Sequence, residues 1–303
     1  MDQIHPYRAL ALALNPLARE GNRRGDAEFI TPLLNAPGSR FLLVWRTGVM
    51  VLGLNEGQPT PLMIGPRTAA PYLESHAWAF LGLLEGEAVF ALDLSPLDTA
   101  PDFGPDALFA DLRRAGPLMQ REQAAMLGHA KSLLHWREHT KFCSKCGAKL
   151  IVQKAGHVMH CDACATDHFP RTDAAVIMLV TDGERALLAQ PRNLRRFSVF
   201  TTLAGFVEPG ESLEEAVARE VFEETGVKVA DVCYQASQPW PFPASIMLGF
   251  TAKAISTAIT IDPEEIIEAR WFTRDEARAQ NGFHLPPNFS IAWRLINAWL
   301  DEE

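Results

Sequence analysis

Nowhere in this 303-residue chain does an apolar run approach the length of about 18–20 residues that a membrane span needs. The first residues, MDQIHPYRALALALNPLAREG, carry an acid at position 2 and only a brief apolar patch, so no signal peptide is expected and the chain reads as cytoplasmic. Positive charge is in short supply too. Twenty-eight Lys and Arg against 37 Asp and Glu leave a net charge of −9, which argues against holding nucleic acid by charge alone. An acidic chain still acts on phosphates where divalent cations supply the positive charge. Repeats, heptads and low-complexity tracts are absent, and the apolar share of 48% is that of an ordinary globular protein.

Cysteine is sparse, five in all, yet four fall together in CSKCGAKLIVQKAGHVMHCDAC. Cys143-x2-Cys146 and Cys161-x2-Cys164, fourteen residues apart, have the spacing of a zinc ribbon. Each CxxC knuckle offers two thiolates, Gly147 suits the tight turn after the first, and four thiolates fill a tetrahedral shell. Such a closed site is structural and not catalytic. His160 and His168 are read as ordinary polar residues, two disulfides are disfavoured without an export signal, and Cys233 reads as a small packed residue in a strand.

The ribbon divides the chain. Residues 1–140 read as an α+β domain: strands in SRFLLVWRTGVMVLGL around Thr47-Gly48, a second pair in HAWAFLGLLEGEAVFALDL with Gly86 near the turn, and a helix over 118–139. No motif there carries chemistry. Residues 141–168 form the ribbon. In 169–303, strand-like runs at 173–180, 185–190, 200–205 and 245–254 alternate with helices at 212–225 and 288–301, which predicts an α/β/α sandwich.

Within that last part lies GFVEPGESLEEAVAREVFEETGV, Gly205 to Val227. Ser212 and Glu215 form a capping box, and Gly226 closes the helix. Leu213, Ala216 and Val217 make the apolar stripe, and steps of four or seven residues from it land on Glu220 and Glu224. Glu220, Glu223 and Glu224 therefore continue the core-facing stripe, and carboxylates turned inward call for a cation, Mg²⁺ or Mn²⁺ by their oxygen ligands. Gly205 lets backbone approach the same place; Arg219 pairs with Glu223 or reaches Glu211.

This segment matches the Nudix signature at Gly205, Glu211, Arg219, Glu220, Val221, Glu223, Glu224, Gly226 and Val227. The resemblance implies metal-dependent hydrolysis of a nucleoside diphosphate linked to another group. One strand later, SQPWPFPAS, Ser237 to Ser245, resembles the array of the NADH pyrophosphatase branch, which also carries a four-cysteine ribbon before the Nudix domain. Prolines at 239, 241 and 243 exclude a central strand and hold the segment ready for a ligand, with Gln238 and Ser245 for phosphate or ribose and Trp240 and Phe242 as an apolar wall. The alternative is a rigid crossover. The resemblance further implies roles for Glu265 of IDPEE in metal binding or catalysis, for the Ala204 carbonyl on the metal, and for Phe169, Ala292 and Arg113 on the substrate. Phe169 stands where relatives often have tyrosine, and Gly156 where some have a glutamate.

The resemblance thus implies cleavage of the pyrophosphate of NADH, and less readily NAD⁺, by a homodimer holding structural zinc and catalytic Mg²⁺ or Mn²⁺, with Glu223 and Glu265 as candidate bases. NAD-capped RNA is an alternative substrate, helped by the basic run RNLRRF (192–197) unless that run is a solvated loop. A zinc-ribbon binding module with an inactive Nudix domain is the remaining reading.

Overall fold

The computed structural model describes residues 10–53, 57–194 and 196–302. Ala11–Thr172 together with Trp240–Ala244 make one compact unit; Asp173–Pro239 and the chain from Ser245 onward make another.

The first unit contains α1 (Ala27–Asn35), β1 (Arg40–Trp45), β2 (Gly48–Leu52), β3 (Thr60–Pro61), β4 (Met63–Ile64), α2 (Pro66–Leu73), β5 (Trp78–Leu84), β6 (Glu87–Asp93), β7 (Ala107–Asp111), α3 (Leu112–Ala115) and α4 (Arg121–His139). Its seven-stranded sheet runs β3-β2-β1-β6-β5, with β4 beside β1 and β7 beside β2. Both hairpins expected from the sequence form. Between β5 and β6, Glu85 and Gly86 both take positive φ (51° and 88°), the primed turn whose twist matches paired strands. Phe41, Phe80 and Phe90 are wholly buried, and Phe41 stacks on Phe90 with ring centres 5.0 Å apart. The ribbon follows as β8 (Ile151–Gln153), β9 (Val158–Cys161) and β10 (Thr166–His168), in sheet order β10-β9-β8.

The second unit contains β11 (Asp173–Thr181), β12 (Arg185–Pro191), β13 (Leu203–Phe206), α5 (Leu213–Thr225), β14 (Val229–Trp240), β15 (Ser245–Ala254), β16 (Ile266–Thr273), α6 (Arg274–Ala279) and α7 (Ile291–Asp301). Its sheet runs β14-β15-β11-β12-β16, with β13 also on β11. Alternation along β11 gives the sheet two apolar faces. Val176, Met178 and Val180 pack with Ala216, Val217 and Val221 of α5. On the other face Gly249, opposite Ile177, is tight against Ile291 of α7. The result is the α/β/α sandwich.

Two local expectations need correction. The strand expected at 200–205 is shorter, 203–206, with Thr201 making only an isolated bridge to Ala189. Cys233 is exposed, because β14 is an edge strand. The exclusion of a central strand at the proline array holds: β14 runs on through Pro239 to Trp240 as an edge strand, which has a side on which no N–H is required.

Candidate active site

Ser212 starts α5 as expected: its Oγ accepts from Glu215 N at 3.3 Å, and Ser212 N donates to Glu215 Oε2 at 2.7 Å. Gly226 ends the helix at φ 69°. Glu220 and Glu224 are both buried on the core-facing side, at 8% and 6% exposure. Glu223 departs from the expectation. Its side chain is 57% exposed, because one residue back from Glu224 the helix turns by about 100° and carries it to the flank.

Arg219 organises the loop before the helix and settles the choice left open by the sequence. Its Nε and Nη2 donate to both oxygens of Glu211 at 3.0 and 2.7 Å, Nη2 also donates to Phe206 O, and Nη1 donates to Glu220 and Glu223 at 2.8 and 2.9 Å. Glu211 in turn accepts from Glu208 N, and its pKa falls to about 2, chiefly through the Arg219 hydrogen bonds. Gly205, on β13 opposite Val176, runs so close to α5 that a Cβ there would overlap the Glu220 carboxylate.

Glu265 reaches this place through the tail of α5. Thr260 N donates to Thr225 O and Asp262 N to Glu224 O, at 2.8 and 3.1 Å, so the IDPEE turn is pinned to the helix that carries Glu224. Arg192 braces the turn from the far side: its N donates to Glu265 O at 2.8 Å and its Nε to Pro263 O at 3.0 Å. That guanidinium is a strut, so the basic run at 192–197 is in part structural; Arg195 of the run lies outside the described residues. Glu224, Glu265 and Ala204 line a cavity of about 660 Å³, together with Glu264, Arg192 and Thr202.

Electrostatics mark the same wall. Burial, then the charges of Glu220 and Glu265, push the Glu224 carboxyl up to about 8, and burial raises Glu220 as well. Glu224 Oε2 is buried without a hydrogen-bond partner. A desolvated acid with an idle oxygen, two carboxylates beside it and a glycine giving the backbone room fit a hard divalent cation. The four ribbon cysteines fit zinc equally well. Their sulfurs lie within 4.8 Å of one another, with Cys143–Cys164 at 3.6 Å and Cys146–Cys161 at 3.4 Å. A tetrahedron with Zn–S of about 2.3 Å puts sulfurs about 3.8 Å apart. Gly147 (φ 77°) and Ala165 (φ 52°) make the knuckle turns. His160 bonds Asp167, and His168 Nε2 sits 3.4 Å from Cys143 Sγ outside the four-sulfur cluster.

In the first unit the structure brings Arg113, Trp240 and Phe242 together. The Arg113 guanidinium lies 4.7 Å from the Phe242 ring centre, and Trp240 meets Phe242 edge-on at 5.1 Å. Lys131 of α4 donates to Pro241 O at 2.9 Å and lies 5.2 Å from the same ring centre. Phe169 is 61% exposed at the end of the ribbon.

In the second unit Gln238 is wholly buried, its Nε2 donating to Phe289 O and its Oε1 accepting from Ile291 N. That amide fixes the start of α7, where Ala292 is buried in the first turn. Ser245 opens β15, half-buried.

Lys131, Glu264 and Thr202, whose buried Oγ1 has no partner, escaped the sequence reading, as did the bracing role of Arg192. Their common signal is proximity across distant segments, which spacing does not carry.

Family models match three consecutive stretches: an NADH pyrophosphatase-like rudimentary NUDIX domain over 38–136, an NADH pyrophosphatase zinc ribbon over 138–169 and a NUDIX domain over 170–291. The NAD-capped RNA hydrolase NudC of Pseudomonas aeruginosa is 40% identical over 236 residues, 77% of this chain and 80% of that one. The human NAD-capped RNA hydrolase NUDT12 is 40% identical over 198 residues, 60% of this chain and 43% of that protein. A NUDIX hydrolase crystal structure from Nitrosomonas europaea aligns with 54% of this chain and 92% of its own at 24% identity and a TM-score of 0.46. With three matched domains in this order and 40% identity to a relative covered over most of its length, the chain belongs to the Nudix hydrolases, in the branch that joins an NADH pyrophosphatase-like domain and zinc ribbon to the Nudix fold.

Proposed function

We propose that this hydrolase cleaves the pyrophosphate of NADH and NAD⁺ to nicotinamide mononucleotide and AMP. The observation that carries the reading is Glu224: buried, with an idle oxygen, beside Glu220 and Glu265 at the wall of a cavity of about 660 Å³. Mg²⁺ or Mn²⁺ bound there supplies charge neutralisation for the pyrophosphate and acidifies water. Glu220, Glu224, Glu265 and the Ala204 carbonyl hold the ions. Glu265, exposed at the cavity wall, is better placed to take a proton than Glu223, which Arg219 holds on the helix flank. Trp240 and Phe242, braced by Arg113, offer aromatic surface to a base or nicotinamide, and the family resemblance supports Phe169, Gln238, Ser245 and Ala292 as further substrate contacts.

The names of the relatives favour a second substrate of the same chemistry, NAD-capped RNA 5′ ends. A cytoplasmic homodimer completes the reading; among the described residues no helix is long and apolar enough to cross a membrane. Product analysis with NADH, NAD⁺ and NAD-capped RNA, each with Mg²⁺, Mn²⁺ or chelator, tests it. Metal-dependent release of AMP and nicotinamide mononucleotide supports the proposal, and no turnover of any of the three rejects it.

Two substitutions probe the parts. Gly205→Ala should lower kcat by about 10²-fold, because a 1 Å displacement of a catalytic group costs that much. Thermal unfolding should barely change, since only the end of a flexible side chain must move. An active Gly205→Ala enzyme would mean that Glu220 is dispensable. Lys131→Met removes the bond to Pro241 O and should raise KM several-fold at nearly constant kcat. Unchanged KM would separate the aromatic wall from substrate binding.

A further inference from the structure

Ala11–Thr172 encloses a second cavity, about 460 Å³, that hydrolysis does not use. Its size falls among ligand pockets. Arg24, Arg137, Lys154 and His76 bring polar groups to its wall, and Trp78 and Ile30 bring apolar surface. Arg19 sits behind Arg24, whose Nε donates to Arg19 O at 3.2 Å.

Among the described residues, none of the guanidiniums of Arg19, Arg24 and Arg137 has a carboxylate within 4.0 Å. Their partners are neutral. Arg19 Nη1 meets the His129 ring, Arg24 Nη1 donates to His157 Nδ1 at 3.1 Å, and Arg137 Nη1 donates to Trp78 O. His157 is held as an acceptor toward Arg24, because its Nε2 donates to Phe80 O at 2.6 Å. Arg137 Nε and His76 Nε2 are buried with no partner.

The wall has two acids. Asp26 spends its carboxylate on Glu28 N and Phe29 N at the start of α1, and Glu74 is exposed. Asp93 acts on Arg137 from beyond ion-pair distance, with Oδ1 accepting from Ser95 N. Arg24, Arg137 and Lys154 against Asp26 and Glu74 leave a surplus of one positive charge at the wall, with Arg19 behind it and Asp93 beyond Arg137. Burial disfavours the charged form of all three arginines, so the cluster is costly unless an anion compensates it.

We propose that this cavity binds a phosphate monoester, with the dianion between Arg24 and Arg137, Lys154 at the rim, and the organic part against Trp78 and Ile30. Guanidiniums suit phosphate through paired donors, and a phosphate anion offsets the positive surplus of the wall.

The test is calorimetric titration of the full-length, zinc-replete protein with inorganic phosphate and with AMP. Ionic strength is held constant with chloride, and no Mg²⁺ or Mn²⁺ is added. One saturable site per chain is expected, weakened at least about tenfold in Arg24→Gln and in Lys154→Gln combined with Arg24→Gln. Glu224→Gln should bind phosphate unchanged, so this outcome is read apart from any failure of the hydrolysis proposal. Arg137→Gln also loses the bond to Trp78 O; if it does not fold, the other two variants decide. Equal phosphate affinity in the Arg24 variants, absence of a saturable site, or equal binding of acetate would overturn the proposal.

Discussion

Glu224→Gln should lower kcat for NADH cleavage by at least about 10²–10³-fold, the range seen when one preorganised electrostatic contact to a transition state is removed. The amide keeps the shape but cannot supply a second anionic oxygen to a cation. The same substitution should stabilise the metal-free protein at alkaline pH. Burial and the neighbouring carboxylates push the folded carboxyl up to about 8, whereas an unfolded glutamate keeps its ordinary value of 4.5. Between those values the folded state holds the extra proton, so stability falls as pH rises through that window, by up to about 1.4 kcal/mol per pH unit. The substituted amide has no proton to lose, and the variant should gain on the parent from pH 5 to pH 8. Urea unfolding at both pH values, with zinc bound and no other metal, measures the difference. Parallel pH profiles would show that Glu224 is neither desolvated nor crowded by Glu220 and Glu265. Added Mn²⁺ should stabilise the parent and leave the variant behind, because only the parent gains a ligand that binds the native state.

Removing the ribbon zinc should have the largest effect on folding. Structural zinc contributes on the order of 10 kcal/mol in isolated zinc modules, and the strands of the ribbon here are short, three or four residues each, with all of β8 exposed. Cys161→Ala deletes a wholly buried sulfur of the cluster and should bring bound zinc from one per chain to nearly none. Proteolysis should then cut within 141–168, while the second unit, with its own core around Val176, Val217 and Val221, stays protected. One zinc per chain retained by Cys161→Ala, or an uncut ribbon, would mean that something other than four thiolates holds this segment.

How much of this was legible beforehand follows from the range of each interaction. The capping box at Ser212, the stop at Gly226, the paired knuckles and the hairpin at Glu85-Gly86 are settled within a few residues, so their spacing was enough. The inward turn of Glu220 and Glu224 was also local, a matter of helical angle. Glu223 was misjudged because adjacency to two buried carboxylates says nothing about the 100° that separates it from Glu224. Gln238 shows what a local pattern leaves out. A polar residue inside a ligand-like array reads as a ligand contact, and its array says nothing of the bonds its amide makes to Phe289 and Ile291, some fifty residues away.

The sequence by itself determined that this chain has a zinc ribbon, an acidic Nudix helix and an aromatic proline array, because each is a local pattern with its own chemistry. Tertiary structure alone decided that the tail of α5 brings Glu265 to Glu224, that Arg192 is a strut, that Lys131 grips Pro241, and that Arg19, Arg24 and Arg137 gather with no carboxylate within ion-pair distance among the described residues. Those pairings join segments tens to more than a hundred residues apart. Their free energy comes from packing and desolvation, which no spacing along one chain can encode.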